Sequence, residues 1–187
     1  MVLTGKINTE LVSLLNQGSA HAVGVSGKDA GLLRAKRLVG KDGRDLGMVG
    51  EVTSVNHELL EVLLQKDYVP IVSPVGLGDD GEGYNINADT AAAEIAVALH
   101  AEKLIYLSDV AGLLDPAGEL ITDIAATTLQ AKVDASEIKG GMAVKCDAAL
   151  RALRGGVASV HFIDGRTTHG LVAELFTDRG IGTLIHP

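Results

Sequence analysis

An α/β fold, in which helices cover both faces of a largely parallel sheet, is predicted by three features of this chain. The first is composition. Hydrophobic residues make up 47% of the 187 positions and aromatic residues only 3%, with no Trp, so the core must be built from Val, Leu, Ile and Ala. Such an aliphatic core suits buried parallel strands under Ala/Leu helices. The second is order along the chain: short Val/Ile runs alternate with longer segments of helical spacing. The third is punctuation, because the 23 glycines fall mostly between these segments. No repeat, linker or low-complexity stretch divides the chain, which reads as one domain.

The elements follow in order. Ile7, Leu11, Leu14 and Leu15 give residues 7–17 helical spacing, stopped by Gly18. Ala22–Ser26 is a short apolar run and reads as a strand. Leu32–Val39 and Leu46–Val55 flank Lys41-Asp42-Gly43-Arg44 and read as a hairpin. His57–Leu64 is helical. Tyr68–Val75, rich in Val and Ile, reads as a buried strand. Ala88–Leu99 is an amphipathic helix. Lys103–Ser108 is a strand, followed by a hairpin at Asp115-Pro116-Ala117-Gly118. Helices are predicted over 126–133 and 142–154, a strand over Ala158–Phe162, a helix over 168–176 and a last strand over Gly182–Ile185.

Charge and composition exclude several functions. Sixteen basic against 24 acidic residues give a formal charge of −8, which repels nucleic acid and anionic membranes. A small anionic substrate would need a local positive pocket. No apolar run is long enough for a membrane span and no secretion signal is legible, so a cytoplasmic location is expected. Cys146 is the single cysteine and reads as a small core residue. The six histidines show no metal-ligand spacing, and no metal site is expected. Two motifs mislead. Gly76-Leu77-Gly78-Asp79-Asp80-Gly81 fits G-x-G-x-x-G, but Asp79, Asp80 and Glu82 would repel a pyrophosphate and no helix starts there, so a turn is expected. Ser26-Gly27-Lys28-Asp29 lacks the upstream glycine and following hydroxyl of a Walker A loop.

Three segments could carry chemistry. In Tyr84-Asn85-Ile86-Asn87-Ala88-Asp89-Thr90, two amides and a carboxylate alternate and run into a helix. Capping accounts for Asn87 and Asp89. It leaves Asn85 unexplained, on the same side of an extended segment as Asn87. Gly140-Gly141-Met142-Ala143-Val144-Lys145 opens a helix with glycines that admit a ligand to the backbone and a lysine that supplies a point charge. A solvated lysine is the alternative. Leu107-Ser108-Asp109-Val110-Ala111-Gly112 leaves a strand at its carboxyl end, where open α/β sheets bind ligands; an ordinary strand exit is the alternative. No nucleophile–base pair is evident. Phosphoryl transfer needs none, only positioning and charge neutralisation.

Taken together, Tyr84–Ala92, Leu107–Gly112 and Gly141–Lys145 resemble the amino acid kinase superfamily, and within it the acetylglutamate kinase family. The similarity extends through Met1-Val-Leu-Thr-Gly-Lys-Ile-Asn8, Ser26–Asp29 and Gly47-Met-Val-Gly-Glu51. The resemblance implies the three-layer αβα amino acid kinase fold and transfer of a phosphoryl group from ATP, with Mg2+, to the side-chain carboxylate of N-acetyl-L-glutamate in arginine biosynthesis. It implies that Asn85 and Asn87 face the acetylglutamate, that Asp89 organises catalytic lysines and that Lys145 neutralises the transferring phosphoryl group. Ser108, Asp109, Gly112, Leu114, Gly141, Met142 and Lys145 would hold ATP. The tail, with His161, Glu174, Gly180 and Gly182, resembles the arginine-inhibited subgroup, in which these positions bind L-arginine; a helix–turn–strand that merely closes the sheet is the alternative. The resemblance further implies a homo-oligomer, and an acceptor-binding lobe over 1–87 followed by a nucleotide lobe over 88–187. The family's first strand, with its Lys and Gly-Gly phosphate loop, has no counterpart here. The chain is therefore expected to be an N-terminally shortened domain, with low or absent activity by itself. A non-catalytic arginine- or nucleotide-binding fragment, or another kinase of the superfamily, are the alternatives.

Overall fold

The computed structural model describes residues 2–40, 42–177 and 180–187. Met1 and Lys41, which open the first motif and the predicted hairpin turn, lie outside the described residues, as do Asp178 and Arg179. The chain forms two compact units, Met1–Leu99 and His100–Pro187.

In the first unit, a π-helical stretch (Val2–Ile7) runs into helix α1 (Asn8–Asn16). The leucines that predict this helix are solvent-facing, Leu11 at 45% and Leu14 at 62% exposure. The helix is instead anchored by a polar residue. Buried Asn8 donates from Nδ2 to the Ile71 carbonyl (2.7 Å) and to Ser73 Oγ (3.1 Å). Gly24 makes room for it, since a Cβ there would lie 2.0 Å from Asn8 Oδ1. Strand β1 (Ala22–Ser26) pairs in parallel with β4 (Val69–Ser73). The predicted strand Tyr68–Val75 is thus divided. Pro74 has no N–H for a sheet ladder, and the chain resumes as β5 (Val75–Gly78) in a different sheet. Nor is β4 deeply buried, with Tyr68 and Val69 more than 40% exposed.

The predicted hairpin forms β2 (Leu33–Val39) and β3 (Asp45–Val55). Together with β5 and β6 (Gly83–Ile86) it closes into a four-stranded barrel. The G-x-G-x-x-G stretch is the β5–β6 turn, as expected: the Gly81 N–H donates to the Gly78 carbonyl at 3.0 Å and Gly81 has φ +81°. Helix α2 (Glu58–Leu64) packs on β4, and α3 (Ala88–Ala98) packs on β3. Leu32, Leu33, Leu60, Ile86 and Ala91 meet in the unit's core. The compact units divide after α3, which contributes Ala91 to this core.

The second unit is a four-stranded sheet in the order β7-β9-β10-β8, made of β7 (Lys103–Ser108), β8 (Asp123–Ala125), β9 (Ser159–Asp164) and β10 (Thr183–His186). The β7–β9 and β8–β10 pairs are parallel and β9–β10 is antiparallel. Helices α4 (Ala126–Asp134), α5 (Gly140–Arg154) and α6 (Gly170–Phe176) complete it. Successive residues of a strand point to opposite faces. Val160, His161, Phe162 and Ile163 are all buried, so β9 is covered on both faces. The α/β class holds, with a layer of helix on each side of this sheet. Cys146 is buried in α5, and burial pushes its thiol up to about 12, so it is a neutral core residue. Among the described residues, no helix is long and apolar enough to cross a membrane.

Candidate nucleotide and acceptor sites

In the first unit, Asn85 lies on β6 between Val49 of β3 and Val75 of β5, with its side chain exposed. Asn87 is the N-cap of α3. Its Oδ1 accepts from the Thr90 N–H at 3.0 Å, so the amide oxygen is used in capping the helix. Asp89 stands half-buried in the first turn of α3, where the helix dipole favours a carboxylate. Asn85, Asn87 and Asp89 thus fall at the end of β6, the N-cap and the first turn of α3. A cation not singled out by spacing lies close by. A Cβ on Gly83, two residues before Asn85, would stand 3.4 Å from Lys28 Nζ. The 26–29 turn positions this lysine: Asp29 Oδ2 accepts from the Ser26 N–H, and Ser26 Oγ accepts from the Lys28 N–H.

In the second unit, β7 ends at Ser108, whose hydroxyl donates to the Val110 carbonyl at 3.1 Å and turns the chain outward. Asp109 is exposed there. The carboxyl end of β9 is adjacent, in register Ser108↔Asp164, and the Gly165 N–H donates to the Ser108 carbonyl at 2.8 Å. Asp164 and Arg166 form a two-pronged pair. The guanidinium and the backbone N–H of Arg166 hold the Asp164 carboxyl at about 2, and Asp109 adds to the field that keeps Arg166 charged. Arg166 thus joins the Ser108–Asp109 corner. Its only sequence signal was an Asp-Gly-Arg exit from a strand.

Beyond the corner, Gly112 packs against the last strand. A Cβ there would lie 2.4 Å from Thr183 Oγ1, at φ +151°. Thr183, fully buried, accepts from the Leu113 N–H at 2.9 Å and donates to the Ile121 carbonyl at 2.6 Å. One hydroxyl thereby fixes both sides of the loop that carries Leu114, and the predicted turn closes it at Asp115–Gly118. A pocket of about 300 Å3 opens beside this loop. Leu113, Leu114, Ile121 and Ile138 give it aliphatic walls, and Lys132 and Glu137 line it too. Such a small apolar cleft with few polar groups suits a flat heterocycle. Gly141 and Met142 follow directly from that wall into α5. Gly140 has φ +62° and a Cβ on Gly140 or Gly141 would meet no protein atom within 4 Å. The N-cap, Lys139, makes no side-chain capping bond, so the helix start presents bare backbone N–H groups. Lys145 follows one turn later, half-buried, with Nζ 5.6 Å from the ring centroid of Tyr106 on β7. That contact sets the ammonium near the carboxyl end of β7.

The tail residues also come together. His161 Nδ1 and Glu174 Oε1 are 2.7 Å apart, and Glu174 Oε2 accepts from the N–H groups of Ile181 (2.7 Å) and Gly182 (3.1 Å). Ser159 Oγ lies 3.2 Å from His161 Nε2. Gly180 crosses the same carboxylate, since its Cβ would fall 2.7 Å from Glu174 Oε2. Gly182 packs on β9, where a Cβ would fall 2.1 Å from the Phe162 carbonyl oxygen. Three protein donors therefore occupy a carboxylate that the resemblance assigned to arginine.

The model of the amino acid kinase family matches residues 1–164, and the chain belongs to that family. Within it, the chain is 46% identical over 194 residues to the acetylglutamate kinase of Stutzerimonas stutzeri (strain A1501), covering 99% of this chain and 65% of that protein. The chain thus spans about 65% of the length of this relative. Among solved structures it superposes on N-acetylglutamate synthase of Neisseria gonorrhoeae complexed with coenzyme A and N-acetyl-glutamate, with a TM-score of 0.89, 28% identity, and 98% of this chain and 42% of that one covered. The same synthase complexed with coenzyme A and L-arginine gives 0.83 and 30% identity, over 97% and 43%.

Proposed function

We propose that this chain carries the ATP site and part of the acceptor site of an acetylglutamate kinase. The observation that carries the reading is the placement of Lys145. It stands one turn inside a glycine-opened helix with its ammonium over Tyr106 of β7, and the residue two before that helix, Ile138, lines a pocket that would admit a base. The γ-phosphoryl would lie at the α5 start, where N–H groups and the Lys145 ammonium meet its charge. The acceptor's side-chain carboxylate oxygen attacks phosphorus as the bond to the ADP oxygen breaks, giving an acyl phosphate. In the first unit, Asn85 would orient the acceptor, and Asp89 would hold cationic side chains in place for catalysis. Among the described residues, no three His, Cys, Asp or Glu side chains form a metal cluster. A magnesium ion brought in as MgATP would supply further neutralising charge on the phosphates. The test is product capture. With MgATP, N-acetyl-L-glutamate and hydroxylamine, the protein yields the acyl hydroxamate above the background of Lys145→Ala. Hydroxamate from aspartate or glutamate but not from N-acetyl-L-glutamate, or a yield unchanged in Lys145→Ala, refutes the assignment.

We also propose a second site, for L-arginine, along the 180–182 segment, whose backbone the His161–Glu174 pair holds in place. The relation to a synthase structure that contains arginine favours it. Arginine then raises the melting temperature by mass action, whereas lysine at equal concentration does not; equal effects of the two would exclude a specific site.

A further inference from the structure

Helix α4 ends in a defined way. Ser136 takes the left-handed conformation (φ +55°), its N–H donates to the Val133 carbonyl at 2.9 Å, and the Glu137 N–H donates to the Lys132 carbonyl at 3.0 Å. This ending sets the side chains of Lys132 and Glu137 beside each other, a contact that is commonly apolar. Here it is an ion pair, Nζ to Oε2 at 2.9 Å, with side-chain exposures of 29% and 53%. An exposed pair of this kind adds little stability. Both residues line the pocket bounded by Leu113, Leu114 and Ile138. Asp115, the other acid there, uses Oδ1 for the N–H groups of Ala117 and Glu119 at the turn.

We propose that Lys132 and Glu137 read the edge of the nucleobase and select adenine over 6-oxopurines; this rests on the nucleotide reading above. The ammonium keeps N–H donors beyond the one aimed at Glu137, and Glu137 keeps Oε1 as an acceptor, so a donor stands beside an acceptor. Adenine offers the complement: N1 accepts from Lys132 while the N6 amino group donates to Glu137. A 6-oxopurine inverts both, setting O6 against the carboxylate and N1–H against the ammonium. A base whose phosphates are fixed at the α5 start cannot turn over to restore the match. Rejection then comes from unpaired polar groups and like-charge contact, the usual source of strong discrimination.

The test is calorimetric titration of the protein with MgATP and with MgITP. Wild type binds ATP about 10–100-fold more tightly than ITP, the range for hydrogen bonds to charged groups. Glu137→Gln, whose amide can present either its donor or its acceptor, lowers that ratio at least about tenfold through tighter ITP binding. Lys132→Met lowers it through weaker ATP binding. Melting temperatures stay close to wild type, because both side chains are partly exposed. An unchanged ratio in both variants with ATP still bound, or a wild type with no preference, overturns the assignment and leaves the nucleotide reading intact. A wild type that binds neither nucleotide overturns both.

Discussion

Replacing Lys145 by alanine lowers phosphoryl transfer by about 10²–10³-fold, the range for removing one preorganised group that meets transition-state charge. The charge on the transferring group and on the departing ADP grows as the reaction proceeds, and in the proposed site the Lys145 ammonium would meet it. In this structure the ammonium stands over the Tyr106 ring, 5.6 Å from its centroid, on a side chain carried by α5. The loss therefore falls on kcat as well as kcat/KM, and ATP binding weakens to a lesser degree. Steady-state kinetics of the variant with acetylglutamate and MgATP check this. A change confined to KM would make Lys145 a binding group only, and an unchanged rate would remove it from the chemistry.

Replacing Glu174 by alanine destabilises the second unit by about 3–5 kcal/mol, the cost of breaking a buried pair from one side. The carboxylate is the acceptor for His161 and for the N–H groups of Ile181 and Gly182, and all three donors lose their partner at once. Glu174→Gln keeps an acceptor oxygen for the two N–H groups and costs about 1–2 kcal/mol, within the range for single hydrogen bonds. The same residue gives an acid limb. Burial raises its carboxyl pKa, but the bonds from His161, Ile181 and Gly182 outweigh burial and bring it below the ordinary glutamate value. A lowered folded value means the stabilisation is complete above the unfolded pKa and is lost as pH falls through the folded one. Urea denaturation across that acidic range shows a steeper slope in wild type than in Glu174→Ala, where Asp164 and Asp80 still contribute. Equal slopes in the two proteins would show that the carboxylate is not the linked group.

The parts of this molecule legible in the sequence are those set by local spacing. Strands β1 and β7 fall where their apolar runs lie, and α3 and α5 begin where Asn87 and the Gly140–Gly141 pair announce them. What spacing does not carry is pairing between distant strands. Closure of the barrel depends on contacts such as Arg34↔Leu77 and Val49↔Asn85, which leave no period in the chain. The break at Pro74 was readable from the proline alone, yet the surrounding Val and Ile run concealed it. Strand β8 has only three residues, too few for any alternation to register. In the sites, residue types pointed to Asn85, Ser108 and Lys145 because their chemistry is unusual at element ends. Thr183 left no such signal: a threonine in a short strand looks ordinary until its hydroxyl is seen to hold Leu113 and Ile121 together. Lys132 and Glu137 were equally silent, since their pairing depends on the left-handed turn at Ser136.

The most direct measurement is calorimetric titration of the protein with MgATP, beside Lys145→Ala. The account predicts saturable one-site binding by wild type, weakened at least about tenfold in the variant, the scale of one charge-assisted contact. A folded wild-type protein that releases no heat and shows no thermal shift with MgATP, or a variant that binds as tightly as wild type, would contradict it.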